Sequence, residues 1–102
     1  MLKNLKPRKV SIDEIHEDIS NMPIQFIRDM EKNTPIVAEG IRENGLIQPI
    51  VIYEKKDFAG KFELIDGYRR LRAFRYLNNK YPTQGYDQIN AYVLSNSEAA
   101  FV

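Results

Sequence analysis

The run Glu63-Leu64-Ile65-Asp66-Gly67-Tyr68-Arg69-Arg70-Leu71-Arg72-Ala73-Phe74-Arg75 constrains this chain more than any other stretch. It reads as a strand that stops at Asp66-Gly67 and turns directly into a helix carrying four arginines within seven residues. A helix start presents unpaired backbone N–H groups and the positive end of the macrodipole. Arginines beside it make an anion site, with phosphate the obvious occupant. At about 100° per residue, Leu71, Ala73, Phe74 and Leu77 form one apolar arc. Arg69, Arg72 and Arg75 fall outside that arc, whereas Arg70 falls in its middle. An arginine aimed at the core from a first helical turn needs a carboxylate, backbone carbonyls or a bound anion as its partner. Asp66 is placed to cap this helix.

The neighbouring segments divide into short elements. Val10 and Ile12 share one side of a strand that merges into a turn at Asp13-Glu14. Ile24, Ile27 and Met30 recur at helical spacing, which predicts a short amphipathic helix within 20–33, with Pro23 in its first turn and its apolar stripe packed on the domain. A second helix starts at Thr34-Pro35, with Thr34 as cap and Pro35 at the first helical position. It ends at Asn44-Gly45 in left-handed geometry. Ile36, Val37, Gly40 and Ile41 form its expected buried face, where Gly40 lets another element approach closely. The segment 46–53 is apolar on both faces and reads as a central strand. Residues 61–65 return as its hairpin partner, and 89–94 form a last strand. Residues 95–100 open a further helix that is too short to stand alone. The expected fold is a small α+β domain, a mixed sheet of about four strands with helices packed around it. One domain spans 1–102, expected to be cut from a longer protein.

Charge narrows the function. Fifteen Lys+Arg against fourteen Asp+Glu leave a net charge of +1, so anion recognition has to be local rather than global. The absence of cysteine removes disulfides, thiolate nucleophiles and thiolate metal sites. His16, with only Glu17 and Asp18 nearby in sequence, makes a poor metal signature, and no metal site is assigned. No long apolar run or signal peptide is present, so a cytoplasmic protein with no membrane partner is expected.

Two glycine-marked segments then stand in order. Gly45-Leu46-Ile47-Gln48-Pro49 lies between helix and strand, and Gly67-Tyr68-Arg69-Arg70-Leu71-Arg72-Ala73 lies between strand and helix, with a hairpin separating them. This arrangement resembles the N-terminal domain of ParB, the chromosome and plasmid partition protein, within the ParB/sulfiredoxin superfamily. The similarity is best over 35–74. What the resemblance implies is a nucleotide site. Gly45, Leu46, Ile47, Gln48 and Pro49 would line the base, and Gly67, Tyr68, Arg69, Arg70, Arg72 and Ala73 would hold the phosphates. It implies a nucleoside triphosphate, CTP first, with Mg2+ carried by the phosphates. It also implies DNA contact through regions outside this chain, a ParA-like ATPase as partner, and homo-oligomers of the full-length protein. Position 68 is often acidic in ParB proteins and is Tyr68 here. Sulfiredoxin chemistry needs a cysteine and is excluded.

Other readings stay open at this point. One is an enzyme on the same scaffold: a nuclease, an ATP- or ADP-dependent small-molecule kinase, or a weak CTPase. It would use a carboxylate such as Glu63 or Asp66 as general acid/base, and catalytic residues are not assigned. Another is a module in which the arginines meet DNA phosphates, extended by Arg75 and Lys80. In a third, Arg70 pairs with a core carboxylate and binds nothing.

Overall fold

In the computed structural model, residues 6–45, 48–55 and 61–95 are described. The Val10/Ile12 alternation gives strand β1 (Arg8–Ser11), which is shorter than the pattern suggests. Ser11 Oγ accepts the Asp13 N–H at 3.3 Å, and Ile12–Glu14 wind into one 3-10 turn. The chain re-emerges as the two-residue β2 (Ile15–His16). Three residues span only about 10 Å, yet β1 and β2 occupy opposite edges of the same five-stranded sheet, ordered β1-β5-β3-β4-β2. The sheet is therefore curled, and this turn carries the chain across its opening. Splitting the first strand in two raises the strand number from the expected four to five.

The helix after β2 is the largest departure from expectation. Residues 20–44 do not form two helices meeting at Thr34-Pro35. A single α1 (Ile24–Asn44) of 21 residues runs through Pro35. Thr34 does not cap: its hydroxyl donates to the Met30 carbonyl one turn back, at 2.8 Å. Pro35 is exposed, so the carbonyl that its missing N–H leaves unpaired lies on the solvent side, where water can serve it. The stripe Ile27, Met30, Val37, Ala38 and Ile41 continues unbroken past the proline, and that continuity decides the outcome. Ile36, expected inside, is 72% exposed, and Ile24 is 62% exposed. Gly40 also departs from expectation, because a Cβ built there would meet nothing within 4 Å. No element packs close against it.

Gly45 ends α1 at the expected position, with its N–H on the Ile41 carbonyl at 2.7 Å; its φ of +80° is positive, but its ψ of 173° is extended rather than left-handed helical. Strand β3 (Ile50–Glu54) is central, antiparallel to β4 (Phe62–Asp66) and parallel to β5 (Gln88–Leu94). The expected start of that strand at Leu46 and Ile47 lies outside the described residues, as does the helix expected beyond Ser95. A register irregularity between Val51 and Ile52 twists the β3–β4 pair just ahead of Gly67. Helix α2 (Tyr68–Lys80) follows immediately.

The core has two parts. Val10, Ile12, Ile50, Ile52, Leu64, Leu71 and Ile89 belong to a buried group that fills the curl of the sheet and the inner face of α2. Ala38, Ala73 and Leu77 form a second group where α1 crosses α2. The small residues Ala38 and Ala73, both fully buried, let the two helices approach closely. Among the described residues no helix is long and apolar enough to cross a membrane.

Candidate functional site

The site begins at Gly67. Its φ of +111° lies in the left-handed region, and a Cβ there would stand 2.5 Å from Ile50 Cγ2. Both backbone and space therefore require glycine. This glycine, not Asp66, is the N-cap of α2, and among the described residues no side chain caps the first turn. The N–H groups of Tyr68, Arg69 and Arg70 consequently open the helix without a side-chain partner, at the positive end of its dipole.

The four arginines behind this helix start have different partners. Arg70 Nη1 donates to the carbonyls of Gln48 and Pro49, at 3.0 and 2.9 Å, and Nη2 reaches Asp66 Oδ2 at 3.3 Å. Its inward position is thus satisfied chiefly by backbone carbonyls, and the carboxylate it meets is 64% exposed rather than in the core. Arg72, expected to face outward, has a side chain only 15% exposed. It lies 3.4 Å from Glu17 Oε1 and 3.7 Å from Glu31 Oε1. Arg75 meets the same Glu17 oxygen at 3.1 Å and donates to the Ile15 carbonyl at 2.8 Å. Only Arg69 of the four has no carboxylate partner among the described residues. Its guanidinium lies 5.5 Å from the centre of the half-exposed Phe26 ring.

Two open cavities meet at Arg70. One, of about 440 Å³, is lined by Val37, Gly40, Ile41, Asn44, Gly45 and Gln48 together with Arg70. The other, of about 300 Å³, is lined by Phe26, Met30, Asp66, Gly67, Tyr68 and Arg69 together with Arg70. Of the residues expected to line a base, Gly45 and Gln48 face the first cavity, Pro49 contributes a carbonyl to Arg70, and Leu46 and Ile47 lie outside the described residues. Of those expected at phosphates, Gly67, Tyr68, Arg69 and Arg70 face the second cavity. Arg72 and Ala73 face neither: Arg72 is held by Glu17 and Glu31, and Ala73 is buried between the helices.

Sequence reasoning missed the contribution of α1. Phe26, Met30, Val37, Gly40, Ile41 and Asn44 fall within about 100° of one another on an ideal helix, so a single face of α1 walls both cavities. The signal was present in the spacing but is legible only if Pro35 does not interrupt the helix. Glu17, which joins Arg72 and Arg75, was also missed, since nothing local to it announces a contact 58 residues away. Burial, followed by the charges of Glu63, Glu17 and Asp18, raises the Tyr68 pKa above the usual tyrosine value. Tyr68 is therefore a neutral donor at physiological pH.

The carboxylates proposed for acid/base work are both engaged. Glu63 Oε1 lies 2.9 Å from His16 Nδ1 and 3.1 Å from Lys55 Nζ, at the β2–β4 edge, and faces neither cavity. Asp66 faces the second cavity but is bound to Arg70. Arg75 and Lys80 do not form a free basic strip, because Arg75 is paired with Glu17 and Lys80 lies over the Tyr76 and Tyr81 rings. Among the described residues no group of three His, Cys, Asp or Glu could hold a metal ion.

Comparison with known proteins bears on the family and the fold. The sequence matches the profile of the ParB N-terminal domain over residues 3–93. The probable chromosome-partitioning protein ParB of Campylobacter jejuni is 40% identical over 65 residues, which are 63% of this chain and 22% of that protein. The chain therefore spans less than a quarter of this relative. Among solved structures, the C-terminally truncated ParB of Caulobacter crescentus complexed with CTP-γ-S superposes with a TM-score of 0.66 at 22% identity. That match covers 93% of this chain and 47% of the ParB chain. The same Caulobacter protein complexed to the centromeric parS site gives 0.57. Sulfiredoxin of Arabidopsis thaliana gives 0.62 at 16% identity, covering 94% of each chain. These likenesses establish the mixed, curled-sheet fold.

Proposed function

This chain belongs to the ParB N-terminal domain family, and we propose that it is the nucleotide-binding domain of a ParB-like partition protein. Its ligand is a nucleoside triphosphate, cytidine first, with Mg2+ carried on the phosphates. The observation that carries this reading is the Arg70 tie. One guanidinium joins the Gln48–Pro49 segment to the start of α2, so a base-sized cavity and an anion-suited cavity share a wall. A base lies in the cavity bounded by Val37, Ile41 and Gln48, and its phosphates reach the open N–H groups of α2. Arg69 then supplies charge-assisted hydrogen bonds by leaving the Phe26 ring. Gly67, whose left-handed turn leaves no room for a Cβ beside Ile50, starts α2 directly at the phosphates.

Support also comes from the solved relative of the same fold that holds CTP-γ-S. DNA contact, a ParA-like ATPase partner and oligomer formation would belong to parts of a longer protein. Nucleotide occupancy in this domain would regulate them in DNA partition. Titration calorimetry and thermal melting with Mg2+ complexes of CTP, UTP, ATP and GTP test the reading. A saturable heat and a raised melting temperature with at least one of them are expected. No heat and no shift with any of the four at millimolar ligand would overturn it.

A further inference from the structure

We propose that α1 is a two-state element, in which residues 24–33 form a lid over the second cavity, hinged at Thr34-Pro35. Two adjacent links of the helix are weak there. Pro35 has no N–H to offer the Glu31 carbonyl. The Thr34 hydroxyl competes for the Met30 carbonyl at 2.8 Å, a back-bond of the kind that loosens and bends helices. When the helix parts at this point, the same hydroxyl is free to accept from the N–H of Val37. Pro35 then becomes the first residue of a shorter helix, a position that suits it. The strong local start signal is thus the opened state written into the sequence, and both states use one hydroxyl.

The two halves are held unequally. Past the hinge, Ala38 is fully buried where α1 crosses α2, and Val37 and Ile41 pack on the same cluster. Before it, Met30 is the buried residue, while Ile24 and Phe26 are 62% and 41% exposed. Among the described residues no side chain caps the Pro23 end, and the first turn carries no acidic residue. This half reaches the side chains of α2 through a Glu31–Arg72 pair at 3.7 Å and the Phe26–Arg69 contact at 5.5 Å. The hydrogen bonds that Asp29 makes with Gln25 and Asn33 stay inside the half and move with it. Phe26 and Met30 wall the second cavity at the start of α2. Swinging 24–33 away opens that cavity, and its return lays Phe26 and Met30 over whatever is held there. On the nucleotide reading above, that is the phosphates.

Residue-resolved hydrogen exchange by NMR on the whole chain tests this. In the ligand-free wild type, amides 28–33 are expected to exchange at least about tenfold faster than 38–44, with a step at Pro35 rather than a gradual rise from the helix end. Pro35→Ala should slow 28–33 by at least about tenfold, because the restored hydrogen bond opposes parting. Thr34→Val should slow them by about fivefold, the worth of a cap lost only from the opened state. A saturating Mg2+ complex of CTP or ATP, whichever calorimetry shows to bind, should slow 28–33 further. The inference is overturned if protection rises gradually across 28–44, if Pro35→Ala leaves the step in place, or if a nucleotide that binds leaves 28–33 unchanged. The first two outcomes need no ligand and decide the hinge by themselves. Failure of every nucleotide to bind would sink the nucleotide reading alone.

Discussion

Four arginines stand in the first two turns of α2, and their chemistry is alike while their situations are not. Arg72 and Arg75 share Glu17, Arg70 holds two backbone carbonyls, and Arg69 rests on an exposed aromatic ring. The sequence placed Arg70 correctly as the one needing an internal partner. It misjudged Arg72, because helical projection says only which way a side chain leaves its own helix. The carboxylates that turn Arg72 inward come from Glu17 and from α1, both remote in sequence. The two residues should separate cleanly on mutation. Arg69→Ala is expected to cost less than about 1 kcal/mol of stability, the value of an exposed cation–π contact. It should weaken the nucleotide by about 1.5–3 kcal/mol, the range for a hydrogen bond to a charged group. Arg72→Ala should lower stability by about 1–3 kcal/mol, because Glu17 keeps only Arg75 as its cation. Urea denaturation and calorimetry on both variants make the comparison. Equal effects of the two on affinity would mean that Arg72 also reaches the ligand.

At the level of the element, α1 is where local and global signals disagreed. Thr34-Pro35 has every local mark of a helix start, yet the helix passes through it. Cap signals act over one turn and are worth about 1 kcal/mol. A continuous apolar stripe packed on α2 gains more by staying in one helix, and the exposed face tolerates the missing N–H. Two substitutions discriminate between these descriptions. In a continuous helix Pro35→Ala restores an i to i−4 hydrogen bond and should stabilise the protein by about 1–3 kcal/mol. Thr34→Ala should change little, because the Met30 carbonyl loses only its second donor. Were Thr34 a cap and Pro35 a first helical residue, the proline change would be neutral and the threonine change would cost about 1 kcal/mol. Midpoints from urea melts of the two variants decide it. The hairpin, the central strand and the last strand were legible because alternation and apolar runs are local properties that tertiary packing reinforced. The division of the first strand was not legible, since a single Ser11–Asp13 hydrogen bond starts the turn that moves the chain to the other sheet edge.

Across the whole molecule, the curl of the sheet brings the end of α1, the segment before β3 and the start of α2 to one side, and Arg70 connects the last two. Ligand bound across that connection should stabilise the entire fold, by about 2.7 kcal/mol at a hundredfold excess over Kd. Arg70→Lys tests the connection itself. A lysine keeps the charge, but its single ammonium lacks the planar fork that reaches both carbonyls and Asp66. The variant is expected to retain its sheet and helices by circular dichroism. It should lose about 1–2 kcal/mol of stability and most of the nucleotide-induced rise in melting temperature. A full thermal shift in Arg70→Lys would show that charge alone suffices. The sequence by itself determined the helix start that invites an anion, the central strand with its hairpin, and the family resemblance. All of these rest on backbone geometry and on patterns a few residues long. Tertiary structure alone decided which arginine is left without a carboxylate partner among the described residues, that α1 runs unbroken, and that one face of it walls both cavities. Those outcomes depend on carboxylates and carbonyls brought together from distant parts of the chain, and no short-range pattern encodes which of them will meet.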